Sequence, residues 1–503
     1  MKRINKKANL ISLFTILLFA PLTALFAQSK ADSLFYFQHQ LRANSWQVSK
    51  NPIFLSYGSL PQFAEAGIFY SIENGRFKRP QDYLKGQRGG IKASGITKYK
   101  NWQFLGDFQY QKLFNDSVKY SNVARPFSGN PFITADLQGG NWKGDQIRAG
   151  LNMTAPAIGK LTLGLSLEYE AEQSARDNHP RPLYRFMDYR LMPAIGFNFN
   201  KQNTVSITGG FTGSRQVIET GMYSRDNAML YDLRGYGTAV PTTIVSAERF
   251  VNSSGWESGG DYLHKSGNTS ILIGARYAKR TENVNEGVQK NDPSLSLLVG
   301  SLDETKGSVY LSYQNESKSG MSASATAWFR DGLGYDGYFN AVNPTYYLSG
   351  LDSRFSWYSL SSGKSNLALN LYPGLSYANY AESVAQTDWT TLMAYTKISM
   401  ALRYKVSSKL ALTGTPLIGY YKNLQKEIFV GNASIISGLI TEPDFIFSTA
   451  DFFVAEAAIL ADLNFKQSNY RWSLSYGNKV STPQQMSGNN RRTLFQTSLS
   501  IIF

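Results

Sequence analysis

Three histidines, His39, His179 and His264, supply all the imidazole in a chain of 503 residues that has no cysteine. Lacking thiols, the chain has no disulfide framework, no thiolate nucleophile and no Cys-ligated zinc. Asp177 and Asp188 lie close to His179 in sequence, the makings of an Asp/His proton-transfer pair. Asn178, Pro180 and Pro182 around that histidine mark a turn, and no serine stands against it in a recognisable motif. A loop histidine is the reading these neighbours favour, so no enzyme is expected. The acidic residues are scattered without the spacing of a calcium loop, and neither a metal nor a cofactor is expected.

The remaining chemistry belongs to charges at alternating positions. Around residues 144–154, Ile147, Ala149, Leu151 and Met153 fall on one face of a strand, and Arg148, Gly150 and Asn152 on the other. Pairing across the turn at Pro156–Lys160 predicts Arg148 opposite Glu168, with Glu170 nearby, in an ion pair that braces or lines a lumen. Further bases predicted to face inward are Arg190, Arg276, Lys397, Arg403, Lys405 and Arg471; the acids are Asp107, Asp188, Glu456 and Asp462. A mixed wall of this kind suits a hydrophilic pathway with a slight lean toward anions.

The elements that must position these groups are strands. Leu161, Leu163, Leu165, Leu167 and Tyr169 alternate with Thr162, Gly164, Ser166 and Glu168, and the same period recurs at Val205–Phe211, Leu367–Tyr377, Ile398–Tyr404 and Tyr470–Tyr476. Alternation alone also fits a soluble sandwich. The apolar faces end in aromatic residues, the strands read as roughly 10 to 14 residues against a mode of about 5–6, and short turns alternate with long loops. Short turns are predicted at Lys98–Asn101, Pro156–Lys160, Asn200–Asn203, Lys265–Asn268, Glu316–Ser319, Ser361–Lys364, Val406–Lys409 and Lys466–Asn469. Long loops are predicted around 114–141, 215–243, 332–349 and 422–448, with the glycines of Gly255–Gly260 and Gly332–Gly337 in flexible outer loops. With a strand near Ala64–Glu73 and another at Arg491–Phe503, the count is about eighteen, in a range of 14 to 20. The expected fold class is all-β, a transmembrane antiparallel barrel over 64–503. An extra strand or folded loop at Pro293–Thr305 is an alternative.

Composition agrees. Aromatic residues reach 14% and charged residues only 17%, against about 25% in an average soluble domain. Lys2, Arg3, Lys6 and Lys7, the apolar stretch Leu10–Phe26 and Ala27 have the layout of a signal peptide over 1–27, which implies export to the outer membrane. Its removal takes the formal charge from +15 to +11, with the bases dispersed and no nucleic-acid footprint. Residues 28–63 then form a plug or periplasmic segment, with a short amphipathic helix at Asp32–Ala43. At the other end Phe495, Thr497, Leu499, Ile501 and Phe503 share one face. This resembles the C-terminal assembly signal of outer-membrane barrels, which their assembly machinery recognises, with Phe503 as its key residue.

Several stretches resemble an uncharacterised family of Bacteroidota outer-membrane β-barrel proteins. They are Trp46 with Asn51-Pro52 and Leu55, then Gly129-Asn130-Pro131-Phe132 with Asp136 and Gly139-Gly140, then Tyr169, Arg176 and Asp177 to Arg181-Pro182. The last stretch is longer here than the family's Asp-Pro-Arg. The Asn-Pro pair is also similar to the entry segment of fatty-acid-transporter-like barrels, which carry an N-terminal plug. The resemblance implies an outer-membrane barrel in contact with lipid, with an accessory role beside a TonB-dependent receptor or other envelope protein. The function expected is porin- or transporter-like, for a small hydrophilic or amphipathic solute. The alternative is a non-conducting accessory barrel that binds a protein through its outer loops.

Overall fold

The computed structural model describes residues 45–57, 62–221, 229–242, 246–287, 296–315, 319–360, 365–432, 434–465, 469–481 and 490–503. The expected signal peptide and the helix at Asp32–Ala43 lie outside the described residues.

In chain order the strands are β1 (Phe63–Gly75), β2 (Lys85–Tyr99), β3 (Trp102–Val118), β4 (Thr134–Asp136), β5 (Gly140–Thr154), β6 (Leu161–Arg176) and β7 (Leu183–Asn198). They continue with β8 (Asn203–Gly221), β9 (Leu230–Leu233), β10 (Ala239–Thr242), β11 (Ser246–Ser266), β12 (Thr269–Gly287), β13 (Ser296–Asn315) and β14 (Ser319–Asp336). The last seven are β15 (Ala341–Leu360), β16 (Ser365–Glu382), β17 (Thr387–Lys405), β18 (Leu410–Val430), β19 (Phe452–Asn464), β20 (Asn469–Ser481) and β21 (Arg491–Ile502).

Eighteen of these form one antiparallel sheet, and β4, β9 and β10 form a separate small one. Strand β1 pairs with β2 on one side and with β21 on the other, from Glu65 opposite Ile502 to Gly75 opposite Arg492, so the wall is a closed barrel. Closure follows from chemistry: each edge of an open sheet would leave a row of unpaired N–H and C=O groups. The outward positions carry the apolar residues. Leu161, Leu163, Leu167, Ile195, Ile207 and Ile273 are all exposed on the exterior. Phe495, Leu499, Ile501 and Phe503 share that exterior face, and Phe503 N–H donates to Ala64 O at 2.8 Å across the closing seam.

The strand ends flank all eight expected short turns. Fourteen of the barrel strands run longer than expected, at 15 to 21 residues, while β1, β19, β20 and β21 have the expected length. The predicted loop at 332–349 is mostly strand, because β14 and β15 stay paired almost to the tight turn at 337–340. Of the glycines expected in flexible outer loops, all but Gly337, which opens the tight turn, lie inside strands. Gly332 makes room for the ring of Tyr346, which a Cβ there would meet at 2.3 Å, and Gly255–Gly260 lie within β11. The Pro293–Thr305 region contributes the start of β13. The rim is uneven: β11 to β18 have 18 to 21 residues each, while β19, β20, β21 and β1 have 12 or 13.

Two structures occupy the lumen. At the short-turn mouth lies a cork: helix α1 (Ser45–Ser49) and a 3-10 turn, Pro52–Tyr57. Ile53, Phe54 and Leu55 are buried against Ala194, Leu263, Leu272 and Tyr310 of the wall. Gly164 and Gly196 leave the space this packing needs, since a Cβ at Gly196 would lie 2.8 Å from Ile53. At the other mouth the chain between β3 and β5 meets the chain between β8 and β11 in the sheet β4–β9–β10. Phe132, Ile133 and Ala135 of the first loop and Tyr231 and Leu233 of the second pack on Trp142, Tyr184, Ile218, Val251, Val284 and Val299. The barrel thus holds a small hydrophobic core inside one end. Helix α2 (Glu442–Ser448) follows Ile436 and Ile440, which pack against the same core.

Candidate functional site

Below the loop sheet lies a chamber of about 710 Å³, within the range of about 300–1,000 Å³ common for small-molecule sites. Inward positions of β1, β2, β3, β5 to β8, β12 to β14 and β21 build its wall, and the loop residues Ala124–Ser128 roof it. Its bases are Arg88, Arg125, Arg148, Arg280, Lys306 and Arg330. Its acids are Asp82, Glu172, Asp188, Glu282 and Glu304. Glutamines 81, 109, 111, 146, 216 and 496 supply neutral polar surface, and Tyr83, Phe127, Tyr184 and Phe186 supply rings.

Nearly all of this charge is matched. Arg125 descends from the loop to Glu170 and to Glu172, at 2.6 Å from the latter, and its guanidinium lies 4.2 Å over the Phe186 ring. Burial works against that cation, but Glu172, with Tyr184 and Glu170, holds its pKa above the ordinary guanidinium value. Arg148 reaches Glu170 at 3.3 Å. Arg280 lies 3.3 Å from Glu282 and 4.0 Å from Asp188, and Glu304 takes Lys306 at 2.5 Å as well as Arg330. Asp82 lies 3.4 Å from Arg492. Arg88 has no carboxylate partner among the described residues but donates to the Tyr83 hydroxyl at 3.1 Å. Amides link these groups: Gln109 donates to Gln111, Gln111 to Gln146, and Gln146 to Glu170 at 2.7 Å.

The predicted ion pair needs a correction of two residues. Arg148 lies opposite Glu170, while Glu168 lies opposite Gly150 on one side and Arg190 on the other. The β5–β6 connection is wider than supposed: the last pair is Thr154 with Gly164, so residues 155–163 lie between the paired ends and the register moves by one inward position. Arg190 reaches Glu168 at 3.2 Å and grips Glu257 through two hydrogen bonds of 2.7 and 3.0 Å. Arg276 sits lower, 3.1 Å from Asp261 and 2.7 Å from the Ser49 carbonyl of the cork. Arg403 and Arg471 share Asp462, at 2.8 and 2.7 Å, and all three are buried. Lys397 lies over the Tyr372 and Tyr395 rings. With so many of the inward bases neutralised, the wall loses the lean toward anions expected from their number.

The loop residues separate into two groups. Asp136 is in the loop sheet, where its Oδ1 accepts the N–H groups of Gln138 and Gly139 and its Oδ2 meets Arg176 at 2.6 Å. Asn130 donates to Glu282, and with Pro131 it lines a second cavity of about 140 Å³. Asp177 and Arg181 lie instead on the exposed turn above β6 and β7, away from both cavities. His179 is in that turn, and no hydrogen bond or ion pair joins it to Asp177 or Asp188 among the described residues.

Sequence reasoning missed the way the loop sheet is fastened. Asp232 meets Arg249 at 2.8 Å, and Arg234 meets Asp336 at 2.9 Å. Glu382 accepts the backbone N–H groups of Tyr236, Gly237 and Thr238, a nest of donors that suits an anion. The readable signal was the set of apolar residues at inward strand ends, such as Trp142, Tyr184 and Val284, which a water-filled lumen would not carry.

The model of a family of unknown function, DUF6850, matches residues 52–503. The chain belongs to this family. No curated protein matches it. Among solved structures, this DUF6850 member is similar to BauA, the ferric preacinetobactin receptor from Acinetobacter baumannii. The TM-score is 0.36, with 6% identity over 88% of this chain and 81% of that one. It is similar to the deltaS2S3 mutant of the monoaromatic hydrocarbon channel TodX, at TM-score 0.31 and 13% identity over 91% and 93%. A Pseudomonas aeruginosa FadL homologue gives TM-score 0.35 and 9% identity over 90% and 91%. Likeness at this level says nothing of what a DUF6850 barrel carries.

Proposed function

We propose that this DUF6850 protein is an outer-membrane barrel that receives a small hydrophilic solute in the chamber beneath the loop sheet. The solute leaves past the N-terminal cork, and no covalent chemistry is done on it. The observation that carries this reading is the inversion of polarity, an apolar exterior around a chamber lined by amides and paired charges. In hydrocarbon each backbone polar group needs an internal partner, which a closed barrel provides. The exterior also supports a membrane location. On β7, Tyr189 and Phe197 bracket Leu191 and Ile195, and all four are exposed. Their eight-residue spacing spans about 27 Å along a strand, or roughly 20 Å of height once the strand is tilted.

The test is conductance in planar bilayers. The intact protein is expected to conduct weakly, and a variant lacking the chain up to Tyr57 to conduct in discrete steps. A variant that stays silent with its cork removed overturns the transport reading. A protein that remains monomeric and folded in buffer without detergent overturns the membrane reading.

A second reading, an accessory barrel that binds another envelope protein, is favoured by β18. Beyond Tyr421 its pairing with β19 stops, and Leu424, Ile428 and Phe429 are exposed. Co-purification of a stoichiometric partner, lost on Phe429→Asp, is expected on this reading, and an isolated single copy in detergent counts against it.

A further inference from the structure

We infer that the solute is a short neutral saccharide, which enters the chamber along an aromatic passage between the loop sheet and the wall of β15 to β17. The inference rests on the chamber reading above and names its substrate class.

Charge gives the first argument. All five acids of the chamber already lie against a guanidinium or ammonium group, and five of its six bases against a carboxylate. Apart from Arg88, which faces the Tyr83 hydroxyl, these groups offer a free ion or a zwitterion no partner unless such a pair is broken. A polyol does not, because carboxylates and guanidinium groups that face each other keep spare lone pairs and N–H groups for hydroxyls. The glutamines give the second argument. Each amide offers two donors and an acceptor, which matches a hydroxyl that donates and accepts. Gln109, Gln111 and Gln146 form a row of such amides along one wall.

The route gives the third. The smaller cavity is lined by Tyr236, Tyr346, Tyr380 and Trp389, and it shares Gln81, Phe127 and Arg330 with the chamber. The two spaces therefore adjoin, with rings on the outer side and amides and paired charges on the inner. Aromatic faces suit the C–H faces of sugar rings, since a ring carries negative charge on its face. Arg79, which lies 3.8 Å over the Phe127 ring and is bound to Asp444, also lines this passage and ties the β1–β2 connection to α2.

The probes are maltotriose, cellobiose and xylotriose as neutral sugars, digalacturonate as an anion and dialanine as a zwitterion. They are titrated into the full chain in detergent, with fluorescence of Trp142 and Trp389 as the signal, and offered to proteoliposomes for uptake. At least one neutral sugar is expected to saturate, with affinity changed less than about twofold by added salt. Digalacturonate and dialanine are expected to bind at least about tenfold more weakly. Gln111→Leu with Gln146→Leu is expected to weaken the sugar about tenfold while heat-dependent gel migration of the barrel stays unchanged. Trp389→Ala is expected to slow uptake without changing equilibrium affinity. If digalacturonate or dialanine binds and the sugars do not, the saccharide class falls and the chamber reading stands. If a sugar binds but the glutamine variant leaves it unaffected, the assigned site is wrong. If no probe binds or enters, even with the cork deleted, both readings fall.

Discussion

The two obstructions of the lumen are fastened by opposite means. The cork is held by apolar burial and by hydrogen bonds in which its own groups are neutral: Asn51 donates to Ser206 at 2.8 Å and to the Asp261 carboxylate at 2.7 Å, and the Tyr57 carbonyl accepts from the Lys265 ammonium. Its one charged side chain, Lys50, is exposed and lies over the Trp46 ring. The strong ion pair at that mouth, Asp261 with Arg276, belongs wholly to the wall. In the loop sheet the pairs are split instead, with Asp136, Asp232, Arg234 and Arg125 on the loops and Arg176, Arg249, Asp336 and Glu172 on the wall. Withdrawing the cork strands no buried charge, whereas lifting the loop sheet strands several at once. On the transport reading proposed above, a solute passes around the loop sheet and the cork is the part that moves.

The largest expected effect tests the split pairs. Asp136→Asn keeps the turn bonds to Gln138 and Gly139 but leaves Arg176 unpaired where both side chains are almost wholly buried, at 1% and 0% exposure. Leaving one member of such a pair costs about 3–5 kcal/mol. Hydrogen exchange at β4 and β9 should rise by two orders of magnitude or more, while the wall is unaffected. Replacing both members, Asp136→Leu with Arg176→Met, should recover much of the loss. Next comes Gly129→Ala, where φ is +107° and a Cβ would lie 2.3 Å from the Arg330 guanidinium. Strain of this kind costs about 1–3 kcal/mol, so the same amides should exchange faster by a smaller factor. Asn51→Ala should be milder, about 1 kcal/mol, because Asp261 keeps Arg276 and Tyr310. Trypsin cleavage at Lys50 reports it, and a loss as large as that of Asp136→Asn would erase the contrast.

The smallest effect is a titration. Burial, with Arg492 and Lys119 nearby, pulls the Lys78 amine down to about 8 despite Asp82. Its folded pKa lies below its unfolded value of about 10.4, so the buried ammonium weakens the β1–β2 connection at neutral pH. That penalty fades as pH rises from about 8 toward the unfolded value. Acetylation of Lys78 should reach half its maximal rate near pH 8, well before exposed lysines; reaction in step with them would remove the loop's buried charge from the comparison.

The wall was legible because period two is a strict code: Leu161 to Tyr169 can face only one way, and eight turns of polar residues punctuate the strands. Inward residues followed by parity, so Arg190, Arg276, Arg403 and Arg471 could be placed before their partners. Partners were harder. Register depends on how many residues a turn consumes, and the β5–β6 turn displaced Arg148 from Glu168 to Glu170. The loop sheet was invisible for another reason. Asp136 and Arg176 are 40 residues apart, and Arg234 and Asp336 are 102 apart. No local pattern announces such a pairing. The wider loops were over-drawn because Gly332 and Gly334 look like turn residues until a tyrosine and a proline are seen filling the space they leave.

The uneven rim gives the mouth a direction. Between β21 and β18 the difference of nine residues amounts to about 30 Å of strand, so eight of the eighteen strands stand as a parapet and four as a step. Whatever arrives by sliding sideways along the surface meets a low wall over β19 to β1, where Arg79 and Asp444 join the β1–β2 connection to α2, and a tall screen behind it. Neighbours packed shoulder to shoulder around the barrel would then meet walls of different height.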